Sequence, residues 1–184
     1  VLNLVPPLYE AWHAGKSSWK NFKSLNRYSI GVEIQNSGHN NKYENFSRKQ
    51  IISTKKLLEH LIKKYNVNLK NILGHSDISP DRKKDPGEKF PWKYLSKKRV
   101  GLWHDLNEKK LSKIRALKVD KYDENTFLKT LYKIGYSRVL NKNKNKNIKL
   151  LATAFQRRFR QSLINGIIDQ ECLLISKNIA KKFK

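Results

Sequence analysis

The sequence predicts an α/β fold followed by an all-helical C-terminal part. Three observations carry this reading. Residues 28–34 alternate strictly between apolar and polar or small side chains. A helical pattern over 47–65 is followed by a short apolar run at 72–75. After Trp103, apolar residues recur only at helical spacing.

In residues 28–34, Tyr28, Ile30, Val32 and Ile34 take one face of a predicted strand, and Ser29, Gly31 and Glu33 take the other. A carboxylate beside two small side chains reads in two ways: as a group facing open space for a ligand, or as an ordinary surface Glu. Ser47 and Gln50 have the spacing of a capping box, and Ile51, Leu58, Leu61, Ile62 and Tyr65 follow at helical intervals. His60, inside that helix, reads as a packing or surface residue. After a turn at 68–71, Ile72, Leu73 and Gly74 read as a short buried strand delivering His75 at its end. Strand, helix and strand in this order indicate an α/β arrangement.

Residues 76–92 read as loop, because Pro80, Pro86, Gly87 and Pro91 exclude a long helix. Beyond Trp103, Phe127, Leu131 and Ile134 mark one helix. Ile148, Leu151, Ala152, Phe155 and Phe159 mark a second, and Leu174, Ile175 and Ile179 a third. The polar run 141–147 connects the first two. Asn165 and Gly166 form a turn, and Asp169 caps the last helix. We place a boundary near 104–110, dividing residues 1–106 from a three-helix unit at 107–184.

The 184 residues are 38% hydrophobic and include four Trp, enough to form real cores. No apolar run approaches the roughly 20 residues of a membrane span. Residues 1–7 show neither a basic leader nor an initiating Met, so the sequence reads as N-terminally incomplete. A lone Cys172 excludes an internal disulfide and a Cys-based zinc cluster. The balance of 40 Lys+Arg against 15 Asp+Glu gives +25, which draws the chain to any polyanion, whether nucleic acid, a bacterial wall or an anionic envelope surface. No RNA-recognition, helix-turn-helix or finger motif accompanies the charge, so no specific nucleic acid is expected.

The densest chemistry lies in residues 74–87, GHSDISPDRKKDPG, which hold an imidazole, three carboxylates and three cations. His75 and Asp85 suit a zinc site of nitrogen and oxygen ligands, each able to donate a lone pair at about 2.0–2.2 Å. Taken as bare residues, a His and an Asp in a polar loop are more often solvated than metal-bound.

Four segments occur in order: AWHAG at 11–15, SIGVEIQN at 29–36, GHSDISPDRKKDPG at 74–87 and FPW at 90–92. Together they resemble the N-acetylmuramoyl-L-alanine amidase type 2 family over nearly all of residues 1–105. The segment AFQRRFRQSLINGIID at 154–169 looks like the peptidoglycan-binding three-helix module of that family's two-domain, envelope-anchored members.

The resemblance implies a mixed sheet flanked by helices, with its first strand missing here, and a zinc-dependent hydrolase acting on peptidoglycan or muropeptides. It assigns His75 and Asp85 as two of three zinc ligands, Glu33 as the catalytic acid–base and Lys83 as the transition-state cation. Trp12, His13 and Asn36 would line the groove, although His13 reads equally as a buried structural histidine. The family's remaining ligand is a His well before AWHAG, and none of the ten residues before Ala11 is His. Three expectations follow: a zinc amidase, a catalytically impaired remnant that only binds wall, or a basic nucleic-acid binder. A monomer is expected, and the wall-binding tail points to the bacterial cell envelope, in the periplasm, with the cytoplasm as the alternative.

Overall fold

The computed structural model describes residues 1–139 and 142–183. Among them the chain is mostly helical, with seven α-helices and one two-stranded antiparallel hairpin. In the hairpin, β1 (Ser18–Trp19) pairs with β2 (Phe22–Lys23), Trp19 opposite Phe22. The connection is two residues long, and Lys20 takes a left-handed φ of 53°, as such tight loops favour. Trp19 turns inward and packs edge-on against Tyr136, ring centroids 5.1 Å apart. It also lies on Gly135, where an added Cβ would stand 2.6 Å from the indole. The hairpin is therefore docked on the C-terminal helices, a contact closed by the Lys20 amide donating to the Gly135 carbonyl at 2.7 Å.

Residues 28–34 do not form a strand, nor do residues 72–74. The only sheet among the described residues is the hairpin. Alternation determines which side chains share a face, but a strand exists only beside a hydrogen-bonding neighbour, and none runs along either segment. Tyr28 closes a turn, and residues 29–34 carry no regular structure and are largely exposed, with Val32 and Ile34 half-buried. The space above Gly31 is not open either. The His13 ring fills it, and a Cβ on Gly31 would come within 2.6 Å of the imidazole. The small side chain there accommodates a histidine of the same chain.

Helix α1 (Arg48–Tyr65) starts where the capping box places it. The Ser47 hydroxyl accepts the Gln50 N–H at 3.2 Å, and the Gln50 side-chain oxygen accepts the Ser47 N–H at 2.8 Å. His60 is exposed on it. His75 opens a single-turn helix, α2 (His75–Ile78), instead of ending a strand. Helix α3 (Trp92–Lys97) follows the proline-bounded loop and buries Trp92 and Leu95. These two, with Ile51, Phe90 and Val100, form a small core beneath α1.

Beyond residue 106 the described helices are α4 (Glu108–Ile114), α5 (Lys121–Ile134), α6 (Lys144–Phe159) and α7 (Gln170–Lys181). The last three stand where the apolar spacing puts them, and α4 is additional. Helix α6 begins inside the polar run, with Asn143 as its cap, and Asn141 lies outside the described residues. Asp169 caps α7 by accepting the Cys172 N–H at 2.9 Å. Its other oxygen meets Arg160 at 2.6 Å and accepts the Ala116 N–H at 3.2 Å. Gln156, fully buried, accepts the Asn165 and Gly166 N–H groups at 3.0 and 2.8 Å and so fixes the turn ahead of α7.

The larger core joins Ala14, Trp19 and Leu25 to Phe127, Leu131, Phe155, Ile175 and Ile179. Packing therefore crosses residue 106. The expected α/β sheet is replaced by helices with a hairpin. No described helix is long and apolar enough to cross a membrane.

Candidate active site

Turn α2 is held at its base by a buried carboxylate. Asp77 accepts the Gly74 N–H at 2.8 Å through Oδ2, which tightens the chain just before His75. Gly74 has no room for a Cβ: one would stand 2.8 Å from Pro86. That contact, with the Ser76 N–H donating to the Asp85 carbonyl at 2.9 Å, folds the loop back so that Asp85 returns to His75. His75 Nδ1 and Asp85 Oδ2 end 3.0 Å apart, with the imidazole mostly buried and the carboxylate half-exposed.

The other ring nitrogen, Nε2, lies 3.2 Å from the Ala14 carbonyl. Both neighbours of the imidazole are acceptors, whereas a neutral imidazole carries a single N–H. Only one of the two contacts can be an N–H donation from a neutral ring; the other suits a second proton or a metal ion. Two ligands bound about 2.0–2.2 Å from a tetrahedral zinc stand about 3.3–3.6 Å apart, a few tenths of an ångström wider than the 3.0 Å observed. Burial raises the Asp85 carboxyl, but the His75 hydrogen bond and charge, with Lys83 adding, outweigh it and hold it below the ordinary carboxylate value. The pair thus fits as two donors of a nitrogen–oxygen zinc site. Among the described residues no group of three or more His, Cys, Asp or Glu is placed to hold a metal ion. His13 and His39, the conceivable substitutes, are engaged elsewhere.

His13 is bonded at both nitrogens, Nδ1 to the Ala11 carbonyl at 2.9 Å and Nε2 to the Ser29 hydroxyl at 2.8 Å. It pins residues 11–15 against 28–31. Arg82, not singled out from the sequence, secures the same segment from the other side, donating to the Ala14 carbonyl at 2.5 Å and the Lys16 carbonyl at 3.0 Å. Only its place in a run of three cations hinted at it. Trp12 is 92% exposed. Glu33 is exposed. Lys83 is half-buried beside Asp85. Asn36 donates to the Glu44 carbonyl at 3.1 Å and accepts the Gly38 N–H at 3.0 Å, so it shapes the following loop.

That loop braces the far side of the site. His39 stacks on Tyr43 at 4.3 Å and bonds Glu88 at 3.0 Å. The Tyr43 hydroxyl donates to the Pro86 carbonyl at 2.7 Å. Both rings occupy the space left by Gly87, which also takes a left-handed φ of 81°. Its place after Pro86 was the one sequence signal for this close approach. Two concavities among the described residues lie elsewhere, one of about 540 Å³ lined by Lys20, Tyr132 and Arg138 and one of about 380 Å³ beside Ile148 and Gly166.

A family model described as N-acetylmuramoyl-L-alanine amidase matches residues 1–88. N-acetylmuramoyl-L-alanine amidase AmiD of Escherichia coli (strain K12) is 31% identical, over all of this chain and 68% of its own length. The 1,6-anhydro-N-acetylmuramyl-L-alanine amidase AmpD of Haemophilus influenzae is 39% identical, over 47% of this chain and 46% of its own. Among solved structures, the complex of Escherichia coli AmiD with anhydro-N-acetylmuramic acid-L-Ala-D-gamma-Glu-L-Lys superposes with a TM-score of 0.86 at 32% identity, covering 98% of this chain and 72% of that one. AmpDH3 from Pseudomonas aeruginosa superposes at 0.84 and 31% identity, with the same coverage.

Proposed function

The chain belongs to the N-acetylmuramoyl-L-alanine amidase family, and from that premise we propose that it cleaves the amide joining the lactyl group of N-acetylmuramic acid to L-alanine, in peptidoglycan or muropeptides, using a zinc ion held in part by His75 and Asp85. The observation that carries the zinc reading is the 3.0 Å approach of His75 Nδ1 to Asp85 Oδ2, two donors brought together from either end of one loop.

Bound zinc supplies a water acidified to a pKa of about 7 and a Lewis acid for the amide carbonyl. The chain's own groups do the rest. The Ala14 carbonyl fixes the His75 ring through Nε2, leaving Nδ1 for the metal. Glu33, exposed to solvent, would take a proton from water and return it to the leaving nitrogen. Lys83, close enough to lower the Asp85 carboxyl, faces the oxyanion of the tetrahedral intermediate. The bare Trp12 ring offers an apolar face to the sugar or stem peptide, while His13 and Asn36 shape the wall of the groove through the bonds described above. Residues 107–184 contribute affinity for the wall, and the protein works at the bacterial envelope.

The test is zinc content together with release of stem peptide from purified peptidoglycan and from anhydro-muropeptide. His75→Ala and Asp85→Ala should each lower bound zinc and reduce hydrolysis by at least about 100-fold, since each removes a direct ligand. Unchanged hydrolysis in either variant sinks the assignment. A second reading, a chain that binds wall without cutting it, draws on the lack of a third His, Cys, Asp or Glu beside the pair among the described residues. It predicts zinc-poor protein that sediments with peptidoglycan and releases no peptide.

A further inference from the structure

We infer that Asp77, Tyr136 and Arg158 form a positioning device through which the C-terminal helices hold His75 in working geometry. The inference rests on the amidase reading for its activity measurement, though not for its structural one. Asp77 is 2% exposed and sits two residues after His75, in the same helical turn. One carboxylate oxygen accepts the Tyr136 hydroxyl at 2.6 Å; the other accepts the Gly74 N–H at 2.8 Å and meets Arg158 Nη1 at 3.3 Å. Arg158 is 4% exposed. It donates a second bond to the Ile72 carbonyl at 2.8 Å and lies 3.4 Å from the centroid of the Trp92 ring.

Three of these bonds, Tyr136 to Asp77, Arg158 to Asp77 and Arg158 to the Ile72 carbonyl, reach from the C-terminal part into the segment that begins the site. Tyr136 follows α5 directly, and Arg158 lies in the last turn of α6. Between them they hold the carbonyl of Ile72 and the carboxylate of Asp77, on either side of Gly74 and His75. The third bond to that carboxylate, from the Gly74 amide, fixes the backbone immediately before the imidazole. Gly74 in turn receives Pro86, the neighbour of Asp85. The chain of contacts therefore runs from helix to Asp77, to Gly74, to the His75–Asp85 pair.

A fold-only role could be met by apolar packing at lower cost, because a buried arginine and carboxylate must be fully compensated to be tolerated. What the polar set adds is direction: hydrogen bonds determine the orientation of the turn, where packing alone determines only its depth. Tyr136, Arg158 and Asp77 do not touch the reacting atoms and act only through His75.

The test compares the full chain with Tyr136→Phe, which removes one hydroxyl and keeps the ring, and with Arg158→Lys, which keeps the charge and loses the fork that reaches Ile72. Three quantities are measured: the ¹⁵N resonances of the His75 ring, kcat and KM on anhydro-muropeptide, and the melting temperature. For Tyr136→Phe we expect the His75 nitrogens to shift toward those of an unrestrained imidazole, and kcat to fall about tenfold with KM within twofold. Arg158→Lys should show the same pattern. If both variants melt at lower temperature while the His75 signals and kcat stay as in wild type, the three residues merely hold the core and the inference is overturned. A wild-type chain that hydrolyses nothing, yet shows the His75 shift in both variants, overturns the amidase reading and leaves the positioning role standing.

Discussion

At the scale of single residues, the site is built from groups whose freedom has been removed by neighbours. Asp85 shows this in its titration. Its carboxyl is held below the ordinary value because the His75 bond and charge, with Lys83, outweigh the effect of burial. A depressed carboxyl stabilises the fold above its unfolded pKa, about 3.9, and loses that contribution as pH falls through the lower folded value. With a chelator present, the stability difference between wild type and Asp85→Asn should shrink as pH falls below about 4, as read from urea unfolding. His13 carries a different lesson. The alternation of Ser29, Gly31 and Glu33 left its face open to either a ligand or nothing, and the occupant is the His13 imidazole, 16 residues before Ser29. Sequence spacing shows that room exists but does not name what fills it. The His75–Asp85 pairing was legible, because both residues bracket one proline-rich loop with a Gly at each end.

Among the elements, those with strong local signals appear where their residues place them. Helix α1 has its capping box, and α5 to α7 have apolar stripes that become the buried faces Phe127, Leu131 and Ile134, or Leu151, Phe155 and Phe159. Helix α4 buries only Leu111, too sparse a pattern to be read as periodic. The two predicted strands failed for a common reason, that pairing partners are a tertiary property. The cap of α7 was visible as Asp169, but its second duty was not. The same carboxylate compensates Arg160, which is buried with it, while Glu171 stands 3.6 Å from that guanidinium and pairs mainly with Arg115. Asp169→Ala should therefore cost about 3–5 kcal/mol, more than the roughly 1 kcal/mol of an ordinary cap, since it strands a buried cation. Chemical denaturation of the full chain measures the difference, and a loss near 1 kcal/mol would show that Glu171 takes over.

Over the whole molecule, the division of sequence at residue 106 meets a core that ignores it. Ala14, Trp19 and Leu25 pack with Phe127, Leu131 and Phe155, and Arg158 and Tyr136 reach into the turn of His75. Residues 1–106 produced alone would expose that shared apolar surface and leave Asp77 buried or solvated without its two side-chain partners. We expect this fragment to lack a cooperative melting transition, whereas the 184-residue chain should show one. A fragment melting as sharply as the parent would mean the contacts across residue 106 contribute little. Arg158 could not be picked out from the sequence, since Arg157 beside it offers the same chemistry and only the fold decides which faces Asp77. The placement of that guanidinium limits how such enzymes can be recombined. A chimera that grafts a foreign tail onto this hydrolytic half inherits an unanswered carboxylate under its active turn, unless the donor brings an arginine and a phenol to the same two points.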